Sequence, residues 1–309
     1  MAGEFEFCGA TGFIGRHLVE ELSKSSDNNI FCLTRNPKKA ERLKQFGVKF
    51  IYADTTDSDS LNKKINSKID VIFHLAGYVG NISKEKLHKI NVLGTENICK
   101  TALKLGVEKM VYLSSVSVIS GNKEVPLVED LPYNTINPYG ESKMKAEKKV
   151  LEYRRKGLKV VILRPCMVYG QGEPHLTKFI LFLLKHKLIP FIDVGKNRLH
   201  LLYVKNLVRA MIFSLSKNEF LEGSFLIADK EALTIKEVIQ ILAKTIGVRP
   251  PLPLPPIVIS ILLYLPWLGN KLKFFMRDRV YSVEKIESLG FIHPYSVKPS
   301  LAASIAEEH

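Results

Sequence analysis

Cys8-Gly9-Ala10-Thr11-Gly12-Phe13-Ile14-Gly15, running on into Arg16-His17-Leu18-Val19-Glu20-Glu21-Leu22, is the stretch on which the reading of this chain turns. A short apolar strand marked by Phe5 and Phe7 enters three glycines spaced by three, and an amphipathic helix follows. Glycine serves where backbone must turn sharply, or approach a bound pyrophosphate with no Cβ between them. The unpaired N–H groups of the first helical turn then face that anion, aided by the positive end of the helix dipole. The spacing is G-x-x-G-x-x-G, not the commoner G-x-G-x-x-G. By itself the turn therefore fits a structural role as well as a dinucleotide site.

Outward from this turn, strands alternate with helices. Ile30 to Leu33, Gly47 to Tyr52, Ile69 to Leu75 and Met110 to Leu113 are apolar runs, with helical stretches at 38–46, 58–65 and 83–105 between them. Strands that are apolar throughout belong to a parallel sheet covered on both faces. The expectation is an α/β fold with a doubly wound parallel sheet, its ligand lying at the carboxyl ends of the strands. At the end of the second strand a carboxylate would bind the ribose hydroxyls and select NAD. Thr34 and Arg35 stand there instead, with no acid between Leu33 and Ala40. A guanidinium forks onto a 2′-phosphate, so Arg35 marks NADP, the plain alternative being an exposed loop arginine.

The totals narrow the classes. With 309 residues, 46% of them hydrophobic and 25% charged, the chain can form one large or two modest globular domains with a real core. Cys8, Cys32, Cys99 and Cys166 are scattered without metal-ligand spacing and read as buried thiols of a reducing, cytoplasmic compartment. The start of the chain has no apolar signal core, and Met1 to Phe5 read as a leader before a truncated first strand. The net charge of +14 comes from lysines on polar helix faces. It fits a solvated surface or the attraction of a phosphorylated ligand. No basic run with interleaved aromatics points to nucleic acid. Late in the chain, the prolines of 250–256 lead into an apolar run from Ile257 to Leu265. That run is shorter than the ~20 residues of a membrane span. It reads as a buried lid or core helix, or else as an interfacial helix in weak contact with a membrane surface through Lys271, Lys273, Arg277 and Arg279.

Asn137-Pro138-Tyr139-Gly140-Glu141-Ser142-Lys143 opens a long helix to about Arg155, with Asn137 as N-cap and Pro138 at the first helical position. Tyr139 and Lys143 then share one face, next to the strand end that bears Ser114 and Ser115. The glycine turn, Asp54, His74-Leu75-Ala76-Gly77, Asn91, Ser114-Ser115 and Y-x-x-x-K, in this order, resemble the extended short-chain dehydrogenase/reductase family, which holds NAD-dependent epimerases and dehydratases. The likeness continues through Leu163 to Gly170, Leu202 to Leu207, Asp278 to Ile286 and Leu289-Gly290-Phe291, covering nearly the whole chain.

The resemblance implies a Rossmann-type NAD(P)-binding domain over 1–165, with 195–228 returning to its sheet, and a smaller, mainly substrate-binding domain over 166–309. It implies hydride transfer with Tyr139 as general acid/base, Lys143 beside it and Ser115 orienting the substrate oxygen, Ser114 and Ser117 being the fallbacks. A free phenol titrates near pH ~10, and lowering it by about 3 units takes roughly 4 kcal/mol. Gly9, Gly12, Phe13, Ile14 and Gly15 would enclose the pyrophosphate, Asp54 and Thr55 the adenine, and Ala76 and Asn91 the nicotinamide side. Thr11, Arg35, Leu75, Gly77 and Pro165 complete the cofactor set. Ser117, Met167, Arg198 and Arg277 are expected on the substrate side, with Lys178 and Lys205 as further cations.

The chain departs from the pattern in three places. Val118-Ile119-Ser120-Gly121 carries an apparent extra residue, Met167 stands where nucleotide-sugar enzymes often have asparagine, and Val204-Lys205-Asn206-Leu207 replaces Val-Asp-Asp-Leu. A nucleotide-sugar epimerase or dehydratase acting on a UDP-sugar leads. An NADPH-dependent reductase or 3β-hydroxysteroid-dehydrogenase-like enzyme for a hydrophobic ketone or alcohol follows, then a non-catalytic dinucleotide sensor. Family likeness also implies a homodimer through the 83–105 and 139–155 helices.

Overall fold

Short strands with apolar residues on both faces are satisfied inside a covered sheet; the strands at 71–74 and 160–165 lie so, whereas 49–52 keeps exposed residues at the sheet edge. The computed structural model describes residues 3–65, 68–80, 82–174, 176–186, 197–251, 257–258, 264 and 278–306. The chain divides into two units, one made of Met1–Asn122, Glu129–Pro165 and Val208–Leu226, the other of Lys123–Val128, Cys166–Leu207 and Ile227–His309.

The first unit carries β1 (Gly3–Cys8), α1 (Phe13–Leu22), β2 (Asn28–Thr34), α2 (Pro37–Ala40), β3 (Lys49–Tyr52), α3 (Ser58–Lys64) and β4 (Val71–His74). It continues through α4 (Lys84–Leu87), α5 (Gly94–Leu105), β5 (Lys109–Leu113), α6 (Pro138–Arg155) and β6 (Val160–Pro165). The strands lie in the order β3-β2-β1-β4-β5-β6, with β10 (Ser224–Ile227) beyond β6, and each pair from β3 to β6 is parallel. This is the expected doubly wound order, centred on β1 and the glycine turn. One core cluster joins Cys8, Leu33, Ile72 and Tyr112 of the sheet to Ile98, Ala102, Ala146 and Val150 of α5 and α6.

Two local expectations change. Gly3, Glu4 and Phe5 pair with Asn28, Asn29 and Ile30, so the first strand takes in Gly3–Phe5 and does not start after them. The single helix expected over 83–105 is interrupted by a π-helical turn, His88–Leu93, between α4 and α5.

In the second unit β7 (Met167–Tyr169) runs parallel to β9 (Leu201–Tyr203), and β8 (Arg198–Leu199) runs antiparallel to β11 (Leu233–Thr234). The helices are α7 (Leu176–Lys185), α8 (Val204–Phe213, which passes into the first unit), α9 (Ile235–Thr245), α10 (Glu284–Ser288) and α11 (Val297–Ala306). A capping box of Thr234 and Glu237 starts α9. Of the apolar 257–265 run, Ile257, Val258 and Tyr264 alone are among the described residues, so its lid or interfacial role lies outside them. Among the described residues no helix is long and apolar enough to cross a membrane.

Candidate active site

The glycine turn is tight for identifiable reasons. Gly9 sits at φ +98°, and a Cβ on it would stand 2.8 Å from the Ala76 backbone nitrogen. A Cβ on Gly15 would stand 2.7 Å from Ala10 Cα, so α1 can pack onto the turn because position 15 has no side chain. Gly12 is the extended N-cap of α1 and gives its N–H to the Gly9 carbonyl at 3.0 Å. The N–H groups of Phe13 and Ile14 open the helix and have no acceptor within it. Thr11 is half-buried beside them, and the Phe13 ring meets His17 edge-on.

At the ends of β2 and β3, Arg35 Nη1 stands 3.2 Å from Asp54 Oδ2, the arginine side chain being 65% exposed. Burial pushes the Asp54 carboxyl up, but hydrogen bonds from Thr56 and the Arg35 guanidinium outweigh it and hold it below the usual range. Thr55 is buried, its carbonyl accepting from Asn97 Nδ2 at 2.9 Å.

The loop after β4 is pinned by one side chain. Asn91, in the π-turn, accepts the Tyr78 N–H at 2.7 Å and donates to the Tyr78 carbonyl at 3.1 Å and to Ser142 Oγ at 2.9 Å. The loop carries Leu75, Ala76 and Gly77, and a Cβ on Gly77 would lie 3.3 Å from Asn91 Oδ1 and 3.7 Å from Lys143 Nζ. His74 is fully buried against Thr95, and desolvation, with the Lys143 charge, holds it neutral at about 3.

Asn137 caps α6 through the Gly140 N–H at 2.8 Å, as the sequence predicts. A Cβ on Gly140 would stand 2.7 Å from the Ser117 carbonyl, so glycine brings the helix start against the 3-10 turn Val116–Val118. The Ser115 side chain lies by the Tyr139 phenol and favours its ionised form. Lys143, 5% exposed, gives its ammonium to the Leu113 carbonyl at 2.7 Å and lies 4.7 Å over the Tyr112 ring. Burial pushes the Tyr139 phenol up to about 12, and it drives Lys143 down to about 8 against the opposing pull of Glu147. Ser114 Oγ and Ser117 Oγ are buried with no hydrogen-bond partner among the described residues. Pro165 is buried at the end of β6.

The structure therefore brings Ser115, Tyr139, Lys143, Gly77 and Asn91 together. It also reveals partners that the sequence reading passed over. Glu147, one turn beyond Lys143 and fully buried, receives Arg164 through both carboxylate oxygens at 3.0 and 2.8 Å, and Tyr133 Oη at 2.8 Å. A charge at i+4 on the buried face of α6 was the available signal. Ser142 is the other such partner.

On the expected substrate side, Met167 is half-buried in β7 and borders an apolar cavity within the second unit, lined also by Tyr169, Leu201, Leu242 and Leu301. Arg198 is committed to Asp278, through its backbone N–H at 2.7 Å and its guanidinium at 3.4 Å. Lys205 is exposed. Arg277 and the Lys178 side chain lie outside the described residues. Asn206 explains one departure in the sequence: its amide donates to the buried Asp229 carboxylate at 2.7 Å, where an aspartate would set two carboxylates against each other.

Known proteins resemble this chain over much of its length. A family model described as the NAD dependent epimerase/dehydratase family matches residues 8–228. Sterol-4-alpha-carboxylate 3-dehydrogenase ERG26, decarboxylating, of Candida albicans is 33% identical over 180 residues, 55% of this chain and 51% of that protein. The chain thus spans about half the length of that curated relative. The Schizosaccharomyces pombe sterol-4-alpha-carboxylate 3-dehydrogenase erg26, decarboxylating, is 26% identical over 311 residues, covering 92% of this chain and 91% of its own. Among solved structures, MoeE5 in complex with UDP-glucose and NAD aligns with a TM-score of 0.76 at 27% identity, over 98% of this chain and 97% of that one.

Proposed function

The chain belongs to the NAD dependent epimerase/dehydratase family, and from that membership we propose that it moves a hydride between a nicotinamide cofactor and a carbinol or carbonyl carbon. The observation that carries the reading is the cluster at the start of α6: Tyr139, with Ser115 at its phenol, one helical turn from a buried Lys143 whose ammonium lies beside Gly77. The glycine turn fits NAD: its backbone lies where Cβ atoms at Gly9 and Gly15 would intrude, and α1 offers unpaired amides to a pyrophosphate. When bound, NAD supplies the hydride acceptor or donor. Tyr139 Oη takes the proton from the substrate hydroxyl, or returns it to the carbonyl oxygen, while Ser115 holds that oxygen in line. Lys143, four residues on along the same face of α6, is assigned the ammonium that favours phenolate. We assign 1–165, with the segment Val208–Leu226 that joins the first unit, to the cofactor, and the rest of 166–309 mainly to the substrate.

Arg35 supports a preference for NADP, since its guanidinium is largely exposed at the end of β2. Asp54 competes for it, so the margin is modest: about tenfold tighter binding of NADP than of NAD, reversed by Arg35→Asp. Calorimetric titration of both cofactors decides; NAD binding more tightly to the unmutated protein would remove the preference.

For the substrate, a UDP-sugar is the first reading, supported by the full-length alignment with MoeE5, whose structure holds UDP-glucose. A hydrophobic alcohol or ketone is the second, favoured by the apolar cavity beside Met167. A thermal-shift screen with UDP, UDP-glucose and a steroid ketone, NAD present, separates them. Stabilisation by UDP and UDP-glucose is expected; stabilisation by the ketone alone would reject the sugar and install the second reading.

A further inference from the structure

Ser142 lies between Tyr139 and Lys143 in α6 and is 5% exposed. Its hydroxyl donates to the Tyr139 carbonyl at 2.7 Å and accepts from Asn91 Nδ2 at 2.9 Å. A hydroxyl offers one proton and two lone pairs, so it can serve a donor and an acceptor at once. Through Asn91 it reaches Tyr78, whose N–H and carbonyl are both held by the same amide. The loop between β4 and Tyr78 holds Gly77, and Gly77 is where a Cβ would come within 3.7 Å of Lys143 Nζ. The spacing between the first turn of α6 and this loop therefore fixes how closely backbone approaches the lysine.

We propose that Ser142 is a positioning residue of the hydride-transfer site: its hydroxyl, bridging the Tyr139 carbonyl and the Asn91 amide, sets the first turn of α6 against the loop after β4. The proposal rests on the functional reading of Tyr139 and Lys143. A serine in a helix interior can satisfy itself on the carbonyl three or four residues back, which leaves its lone pairs available to a neighbour. Here that neighbour is the side chain that pins the loop. Alanine would keep the helix and lose the bridge; threonine would keep both; valine, with the shape of threonine and no hydroxyl, would lose the bridge again.

The experiment compares Ser142→Ala, Ser142→Val and Ser142→Thr with the unmutated chain, using NAD as the probe. Hydrogen exchange at Tyr78 is expected to quicken by about tenfold in the alanine and valine variants, and NAD affinity to fall about three- to tenfold, with threonine restoring both. In the NAD complex, the tyrosinate absorbance step that Tyr139→Phe removes should move to higher pH in the alanine variant and return in the threonine variant. If alanine does not fold, the valine–threonine pair gives the same contrast. Wild-type exchange, affinity and ionisation in folded Ser142→Ala or Ser142→Val would overturn the proposal. So would failure of folded Ser142→Thr to recover. If Tyr139→Phe removes no step, the reading of Tyr139 falls, while the exchange contrast still decides Ser142.

Discussion

Lys143 is a charge kept where water is scarce. Its folded value falls from 10.5 to about 8, a shift of about 2.5 units or about 3 kcal/mol. Because the folded value lies below the unfolded one, the folded chain binds fewer protons between pH ~8 and ~10.5; stability rises with pH across that window, and the cost is complete below it. The cost has a use. The sequence alone asks the site to lower a phenol by about 3 units, but the phenol of the half-buried Tyr139 is cut off from water and starts at about 12. Reaching neutrality then takes about 5 units, roughly 7 kcal/mol, which makes a protonated neighbour more necessary. Lys143→Met should raise the thermal midpoint at pH 7 while turnover falls by about 10²-fold. Calorimetric melting beside an assay checks it, and a lowered midpoint would refute the account of the buried charge.

Among the elements, β1 and α6 show what a sequence can and cannot tell. Asn137, Pro138 and the Tyr139–Lys143 spacing marked the start of α6 and the face that carries both side chains, because capping and helical period are local properties. The π-turn at 88–93 was hidden, since Asn91 is drawn into it by partners at Tyr78 and Ser142 that are distant in sequence. In β1, the short apolar strand marked by Phe5 and Phe7 also carries Glu4 and Glu6, on which the sequence reading is silent. Position 6 is covered on this interior strand, and Glu6 is fully buried. Burial lifts it from 4.5 to about 7, with the Cys8 thiol, 3.7 Å from Oε1, the one partner among the described residues to offset the loss of water. The folded value exceeds the unfolded one, so stability present at low pH is lost as pH rises from ~4.5 to ~7 and stays lost above. Glu6→Gln is expected to stabilise the chain by about 2–3 kcal/mol at pH 8 and hardly at all at pH 4. Denaturant melts at the two pH values measure this; equal gains at both would exclude the buried carboxyl as the cause.

Across the whole molecule, the cofactor side was more legible than the substrate side, for a physical reason. A pyrophosphate is met by backbone, and backbone demands glycine at Gly9 and Gly15, which any reader of the sequence can see. A substrate is met by side chains that distant segments bring together. Arg198 looked like a cation for a ligand and proves to be tied to Asp278, while Asn206 looked like a departure and proves to be the donor that Asp229 needs. The central claim is that Tyr139 moves the proton that accompanies the hydride. The most direct test sets turnover of wild type and Tyr139→Phe on the substrate found by the screen against NAD affinity measured on the same samples. The account predicts that phenylalanine lowers turnover by about 10²-fold or more and leaves NAD binding within about twofold; a Tyr139→Phe protein that keeps most of its turnover would contradict it.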